Sequence, residues 1–266
     1  MNFFSYKQLS QGRFICKLDL SLLYPGGLDE FWVRYDEFCK ADPLLLKVIE
    51  RKKNILIYPH ESWIPELSNQ RPKVLFLFGN PAPHSVFAGV YFAYEGSGRE
   101  HRFWKVMREL GIIDMRLAGG QNISEKSLRS NFFKLKYKSP FAIGMEVLFT
   151  FPSPASDPRW SGVAGLQRLF GKKVFDRLAE AEQGRVDKLV KRFIGQKGKI
   201  IAFQKNAYNG MLKPGEDRYD LEKAVSGKLY TFCNDTVLLA GVPPTRWMHT
   251  VKFKKVLKKI MFPLDA

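Results

Sequence analysis

The tract Val74-Leu75-Phe76-Leu77-Phe78 is apolar at every position, follows Arg71-Pro72-Lys73, and runs directly into Gly79-Asn80-Pro81. A strand with one wet face alternates apolar and polar residues, whereas an unbroken apolar run requires cover on both faces. The tract therefore predicts a buried strand of a parallel sheet, with a turn leaving its carboxyl end.

The rest of the chain repeats that alternation. Residues 28–51 read as helix broken near Pro43. REHRFWKVMRELG (99–111) reads as a helix with Phe103, Val106, Met107 and Leu110 on one face and Gly111 at its end. EVLFTF (146–151) is strand-like, and 161–195 is mainly helical with Leu166, Leu169, Phe170, Val174 and Leu178 apolar. IIAF (200–203) reads as strand, 206–212 as a short helix, KLYTF (228–232) and TVLLAG (236–241) as strands, and 251–262 as a helix. This order predicts a three-layer α/β/α sandwich around a central, mainly parallel sheet. Ligands of such folds bind beyond the carboxyl ends of the strands, so the loops after Phe78, Phe151 and Gly241 are the places to search. Residues 1–70 are expected to be a mostly helical N-terminal extension, and residues 71–266 the α/β domain.

Composition narrows the partner. With 266 residues and 45% hydrophobic side chains, the chain has material for a real core. It carries 43 Lys and Arg against 26 Asp and Glu, a formal charge of +17. Such an excess is self-repulsive in a compact state and suggests a polyanionic partner, nucleic acid ahead of an anionic membrane or ribosomal surface. Cys16, Cys39 and Cys233 are too few and too scattered for a disulfide framework, so a reduced, cytoplasmic setting is expected. The first twenty residues lack the pattern of a secretory signal, and no apolar stretch is long enough to span a bilayer. The four histidines are not at ligand spacing, so neither a metal nor a cofactor is expected.

The loop FGNPAPHSVFAGVYFAYEGSGREHRFW (78–104) carries the chemistry. Pro81 and Pro83 stiffen the turn, and Gly79 allows a sharp exit. Asn80, His84 and Ser85 stand beside the aromatic set Phe87, Tyr91, Phe92 and Tyr94. Hydrogen-bonding groups next to flat apolar faces are what a nucleobase pocket needs.

This stretch resembles the first motif of the uracil-DNA glycosylase superfamily, closest to its mismatch-specific uracil- and thymine-DNA glycosylase branch. The shared features are Gly79-Asn80-Pro81 (one residue shorter than the family's Gly-x-Asn-Pro), Ser85, Gly89, Phe92-Ala93 and Arg102-Phe103-Trp104. SGVAGLQRLFG (161–171) looks like the family's Gly-x-x-x-Leu helix, and IIAFQKNAYNGML (200–212) like its strand followed by a Gly-Lys-x-Ala-Tyr helix. LLAGVPPTRWM (238–248) occupies the place of the second motif. The resemblance covers about residues 72–250, patchily between motifs.

The resemblance implies hydrolysis of the N-glycosidic bond of a flipped-out uracil or related damaged base in DNA, in base excision repair, by a monomer without cofactor. Asn80 would hold the attacking water, Phe92 would stack on the base, and Gly79, Ser85 and His84 would line its pocket. Asparagine cannot take a proton, so it can only orient water. Stabilising the anionic leaving base then falls to backbone N–H groups of Asn80, Ala82, His84 or Ser85. Thr245, Arg246, Trp247 and Ser153 would contact DNA. The second motif departs from the family, because Val242-Pro243-Pro244-Thr245-Arg246-Trp247 has no His or Asn before its proline. Trp247 either wedges into the vacated base stack or packs on the core. The tail 251–262 is a basic amphipathic helix, whose lysines face either a phosphate backbone or solvent. The alternative to an enzyme is a non-catalytic nucleic-acid-binding protein of the same fold.

Overall fold

The structure is a computed structural model that describes residues 2–66, 70–93, 100–116, 125–195, 198–233 and 236–262. Among them the elements run β1 (Phe4–Ser10), β2 (Arg13–Asp19), α1 (Asp29–Ala41), α2 (Leu45–Val48), β3 (Glu50–Lys52), β4 (Ile55–Glu61) and β5 (Lys73–Phe78). Then come α3 (Pro83–Ala88), α4 (Arg102–Glu109), α5 (Glu125–Phe133), β6 (Ala142–Val147), α6 (Gly162–Phe170) and α7 (Lys172–Phe193). The chain finishes with β7 (Gly198–Ala202), α8 (Lys205–Asn209), α9 (Leu221–Ser226), β8 (Tyr230–Cys233), β9 (Val237–Gly241), a 3-10 turn at Thr245–Trp247 and α10 (Val251–Met261).

The chain divides into two compact units that interleave in sequence. The first comprises Met1–Ser62, Gly79–Tyr91 and Val147–Arg185; the second comprises Trp63–Phe78, Phe92–Glu146 and Val186–Ala266. A boundary near residue 70 therefore does not describe the compact units, because two later segments join the N-terminal residues.

The second unit holds a five-stranded, mostly parallel sheet of order β6-β5-β7-β9-β8, flanked by helices. β5 pairs with β7 and β7 with β9 in parallel, while β8 runs antiparallel to β9. Val74 to Phe78 are all buried, as their uniform apolarity requires. The strand expected at 146–151 lies earlier, at β6. All six residues of AIGMEV are buried there, and Gly144 is obligatory. A Cβ at Gly144 would sit 2.7 Å from the Phe193 ring and 2.8 Å from Ile64. At the end of the chain, α10 is N-capped by Thr250, whose hydroxyl accepts the Phe253 N–H. Its buried face is Phe253, Val256, Leu257 and Met261, and Lys252, Lys255, Lys258 and Lys259 are exposed.

The first unit contains an antiparallel sheet of order β1-β2-β4-β3. This corrects the expectation of a mostly helical 1–70: among the described residues of that range α1 and α2 are the only helices, and β1 to β4 make up the sheet. The signal for strands was a period of two around a turn at Gly12 (φ 69°). Cys16 and Leu18 of β2 are buried opposite Tyr58 and Leu56 of β4, with Lys17 exposed between the first two and Ile57 half-buried between the second two. Helix α6 packs on α1, where the Phe31 and Phe170 rings stack at 5.6 Å. Cys16 and Cys39 are buried. Among the described residues, no helix is long and apolar enough to cross a membrane.

Candidate functional site

The candidate residues fall into two groups. Gly79, Asn80, His84, Ser85 and Ser153 belong to the first unit; Phe92, Thr245, Arg246 and Trp247 belong to the second.

In the first group, Asn80 stands two residues past the end of β5. Its Nδ2 donates to Ser153 Oγ at 2.8 Å, to Phe151 O at 3.4 Å and, more weakly, to Pro81 O at 3.5 Å. Two of those partners are carbonyls, which only accept, so the amide is oriented with its NH2 toward them. Its Oδ1 has no hydrogen bond to another described residue and is left as an acceptor. The backbone on either side is clamped to the same segment: Phe149 N–H donates to Gly79 O at 2.8 Å and Ser153 N–H to Pro81 O at 3.2 Å. Gly79 does not take up the left-handed conformation, so the exit from β5 is shaped by these clamps rather than by glycine strain.

Ser153 is buried, with 3% of its surface exposed. Its expected role as a phosphate contact gives way to support of Asn80, because a hydroxyl shut away from solvent and already holding an amide has no face for DNA. The loop expected through residue 85 is in part α3, started by Pro83 in its first turn and closed by Gly89 at φ 68°. The helix occupies the Ser85 N–H with Ala82 O, at 3.1 Å, and removes it from the set of free donors. The N–H groups of Asn80, Ala82 and His84 make no hydrogen bond to another described residue. His84 and Ser85 are half-buried; Phe87 is exposed, and Tyr91 is buried with its hydroxyl on Glu61 O at 2.7 Å. Tyr94 lies outside the described residues.

A buried polar network beneath Asn80 escaped the sequence reading. Thr150, Glu182 and Arg185 are all nearly or fully buried. Glu182 Oε1 accepts Thr150 N–H at 2.7 Å and Thr150 Oγ1–H at 2.6 Å, while Oε2 accepts Arg185 Nε–H at 2.7 Å. Arg185 Nη2 donates to Val147 O at 2.7 Å and Leu148 O at 3.3 Å. The Thr150 proton goes to the carboxylate, so the Tyr58 hydroxyl, 3.1 Å away, is the donor to Thr150 Oγ1. Burial pushes the Tyr58 phenol well above its usual range and keeps that proton in place. The available signal was the Glu-x-x-Arg pair within the apolar stripe of α7, between Leu178 and Val186.

In the second unit, a cleft of about 1140 Å³ is lined by Phe92, His101, Arg102, Lys105, Thr245 and Arg246, among others. Phe92 adopts φ 51°, a conformation that a bulky side chain takes only where its surroundings enforce it. Its ring stacks on Phe103 at 4.1 Å and 12°, and meets Phe78 edge-on at 5.1 Å. The His101 ring lies 5.0 Å from it, and His101 Nδ1 caps α4 by accepting the Phe103 N–H at 3.1 Å. Lys254 and Glu109 neutralise each other across 2.6 Å, an interaction that holds the Glu109 carboxyl below its usual range. Arg102, Lys105 and Arg246 form no ion pair with another described residue, so the cleft is net basic. Thr245 and Arg246 also border a neighbouring cavity of about 310 Å³ with Phe203, Gln204, Lys205 and Tyr219. Trp247 is half-buried in the 3-10 turn, and Arg246 is exposed. Val242, ahead of the prolines, is fully buried, with its carbonyl taken by the Tyr219 hydroxyl at 2.9 Å. Comparison with protein-family models and with curated proteins finds no match to this chain.

Proposed function

We propose that the chain is a DNA glycosylase of the uracil type, with the three-layer α/β/α architecture of that superfamily, acting on a flipped-out uracil or related damaged base. The observation that carries the reading is the fixed amide of Asn80, which turns its only free acceptor, Oδ1, away from its supports. Such an acceptor binds one proton of a water and directs the oxygen lone pair at a sugar carbon, without itself taking a proton. That suffices where the glycosidic bond breaks ahead of attack, leaving an oxocarbenium-like sugar and an anionic base. The free N–H groups of Asn80, Ala82 and His84 are suited to that anion. The ring of Phe92 supplies a stacking face, and the basic cleft it lines suits a phosphate backbone.

Incubating the protein with single-stranded, U·A and U·G oligonucleotides and cleaving abasic sites with alkali tests the reading. Strand breaks that require both uracil and Asn80 support it, and their absence from every substrate removes it. The second reading, a DNA-binding protein without turnover, is favoured by the loop after β9. There a buried valine, Val242, stands where the superfamily that the chain resembles carries a group that would polarise the base. Binding with no base release would select that reading.

A further inference from the structure

Residues 147–153 leave the sheet at the end of β6 and run through the interior of the first unit without a ladder partner for residues 148–150. Buried backbone polar groups must find partners, and here the side chains of α7 supply them. Arg185 takes Val147 O and Leu148 O, and Glu182 takes Thr150 N–H. A buried Glu–Arg pair is an expensive way to hold a fold, because desolvating both charges offsets most of their attraction, and apolar side chains of equal size would serve stability as well. A pair committed to one short segment does something apolar packing cannot: it sets the position of specific backbone atoms. The same segment, one and three residues later, supplies Phe151 O and Ser153 Oγ to the Asn80 amide, and its Phe149 and Ser153 N–H groups clamp Gly79 and Pro81.

We propose that Glu182 is a positioning residue for Asn80: through Thr150 it fixes the 149–153 segment, and through that segment the direction in which the Asn80 carbonyl oxygen points. The inference deepens the glycosylase reading, and its catalytic consequence rests on that reading. Its structural consequence, a dependence of the Asn80 amide on Glu182, does not.

The test compares Glu182→Gln, Thr150→Val and Thr150→Ser in the full chain. Three quantities are measured: melting temperature, the side-chain amide resonances of Asn80 (assigned by their loss in Asn80→Ala), and kcat and KM for uracil release. Glu182→Gln and Thr150→Val should shift the Asn80 amide pair and lower kcat up to about 100-fold, the scale of an ångström-sized misplacement, with KM unchanged. Thr150→Ser, which keeps the hydroxyl, should restore both. Should Glu182→Gln fail to fold, the Val and Ser variants at Thr150 decide the question alone. Asn80 resonances that stay in place while the melting temperature falls would overturn the proposal and leave Glu182 a stabilising residue only. A wild-type chain that releases no base, with the resonance shifts still present, would remove the glycosylase reading and leave the Glu182–Asn80 link standing.

Discussion

Asn80 and Ser153, 73 positions apart in sequence, are joined by a 2.8 Å hydrogen bond from the Asn80 amide to the Ser153 hydroxyl. The bond converts a polar loop residue into a rigid one. An asparagine free to rotate would present NH2 and carbonyl to solvent with equal ease, whereas this one keeps its carbonyl free.

Replacing Asn80 with Ala should therefore reduce base release by about 100-fold or more, the scale of losing a positioned catalytic group. DNA affinity, measured by fluorescence anisotropy, should stay within about threefold, since phosphate contacts dominate it. The fold should lose about 1–3 kcal/mol, the cost of leaving the buried Ser153 hydroxyl and Phe151 carbonyl without the amide. Turnover equal to wild type would end the assignment of Asn80.

Phe92 combines a left-handed backbone with a ring stacked on Phe103. Phe92→Ala should lower kcat/KM for uracil release by the equivalent of about 1–3 kcal/mol, the value of one base-stacking face. Affinity for undamaged DNA should change little. A collapse of the melting temperature with unaltered catalysis in the remaining folded fraction would instead make Phe92 a packing residue.

Arg246 is exposed on the rim of the basic cleft. If it holds a phosphate, Arg246→Ala should reduce the slope of log K against log salt by up to about one unit. Uracil-containing and normal DNA should be affected alike, because a phosphate contact carries no sequence information. A loss confined to uracil DNA would mean that Arg246 reads the base or its partner. Binding insensitive to salt would show that the +17 charge serves something other than DNA.

Asp114 offers a pH signature of stability. Arg116 hydrogen-bonds its carboxylate through Nε at 3.0 Å and Nη2 at 2.8 Å, and this pairing holds the carboxyl below its usual range. A depressed carboxyl stabilises the fold fully above the ordinary Asp value of about 3.9 and loses that contribution as pH falls through the lower folded value. The melting-temperature gap between wild type and Asp114→Asn should thus be constant near neutrality and close below about pH 3.9. A gap that widens on acidification would contradict the ion pair.

Much of the second unit could be read directly from the chain. Val74–Phe78 is apolar throughout because both faces of its strand are covered. The 251–262 helix is amphipathic because one stripe is buried and Lys252, Lys255, Lys258 and Lys259 are exposed. Periodicity reports local burial, and these elements are defined by it. In β2 the exposed Lys17 between buried Cys16 and Leu18 is a period-two signal, whereas Ile55-Leu56-Ile57-Tyr58 of β4 is apolar throughout and alternates only in its burial. The position of Asn80 at the exit of β5 was likewise available from sequence. What makes it a directed acceptor was not: Ser153, Thr150, Glu182 and Arg185 lie 70 to 105 residues away along the chain. Their hydrogen bonds exist only because a ladder-free segment needed partners in the interior. Sequence patterns record which faces avoid water, whereas the pairing of particular buried polar atoms depends on tertiary contacts that carry no period. Those contacts decided that Ser153 supports an amide rather than a phosphate and that Ser85 spends its N–H on a helix.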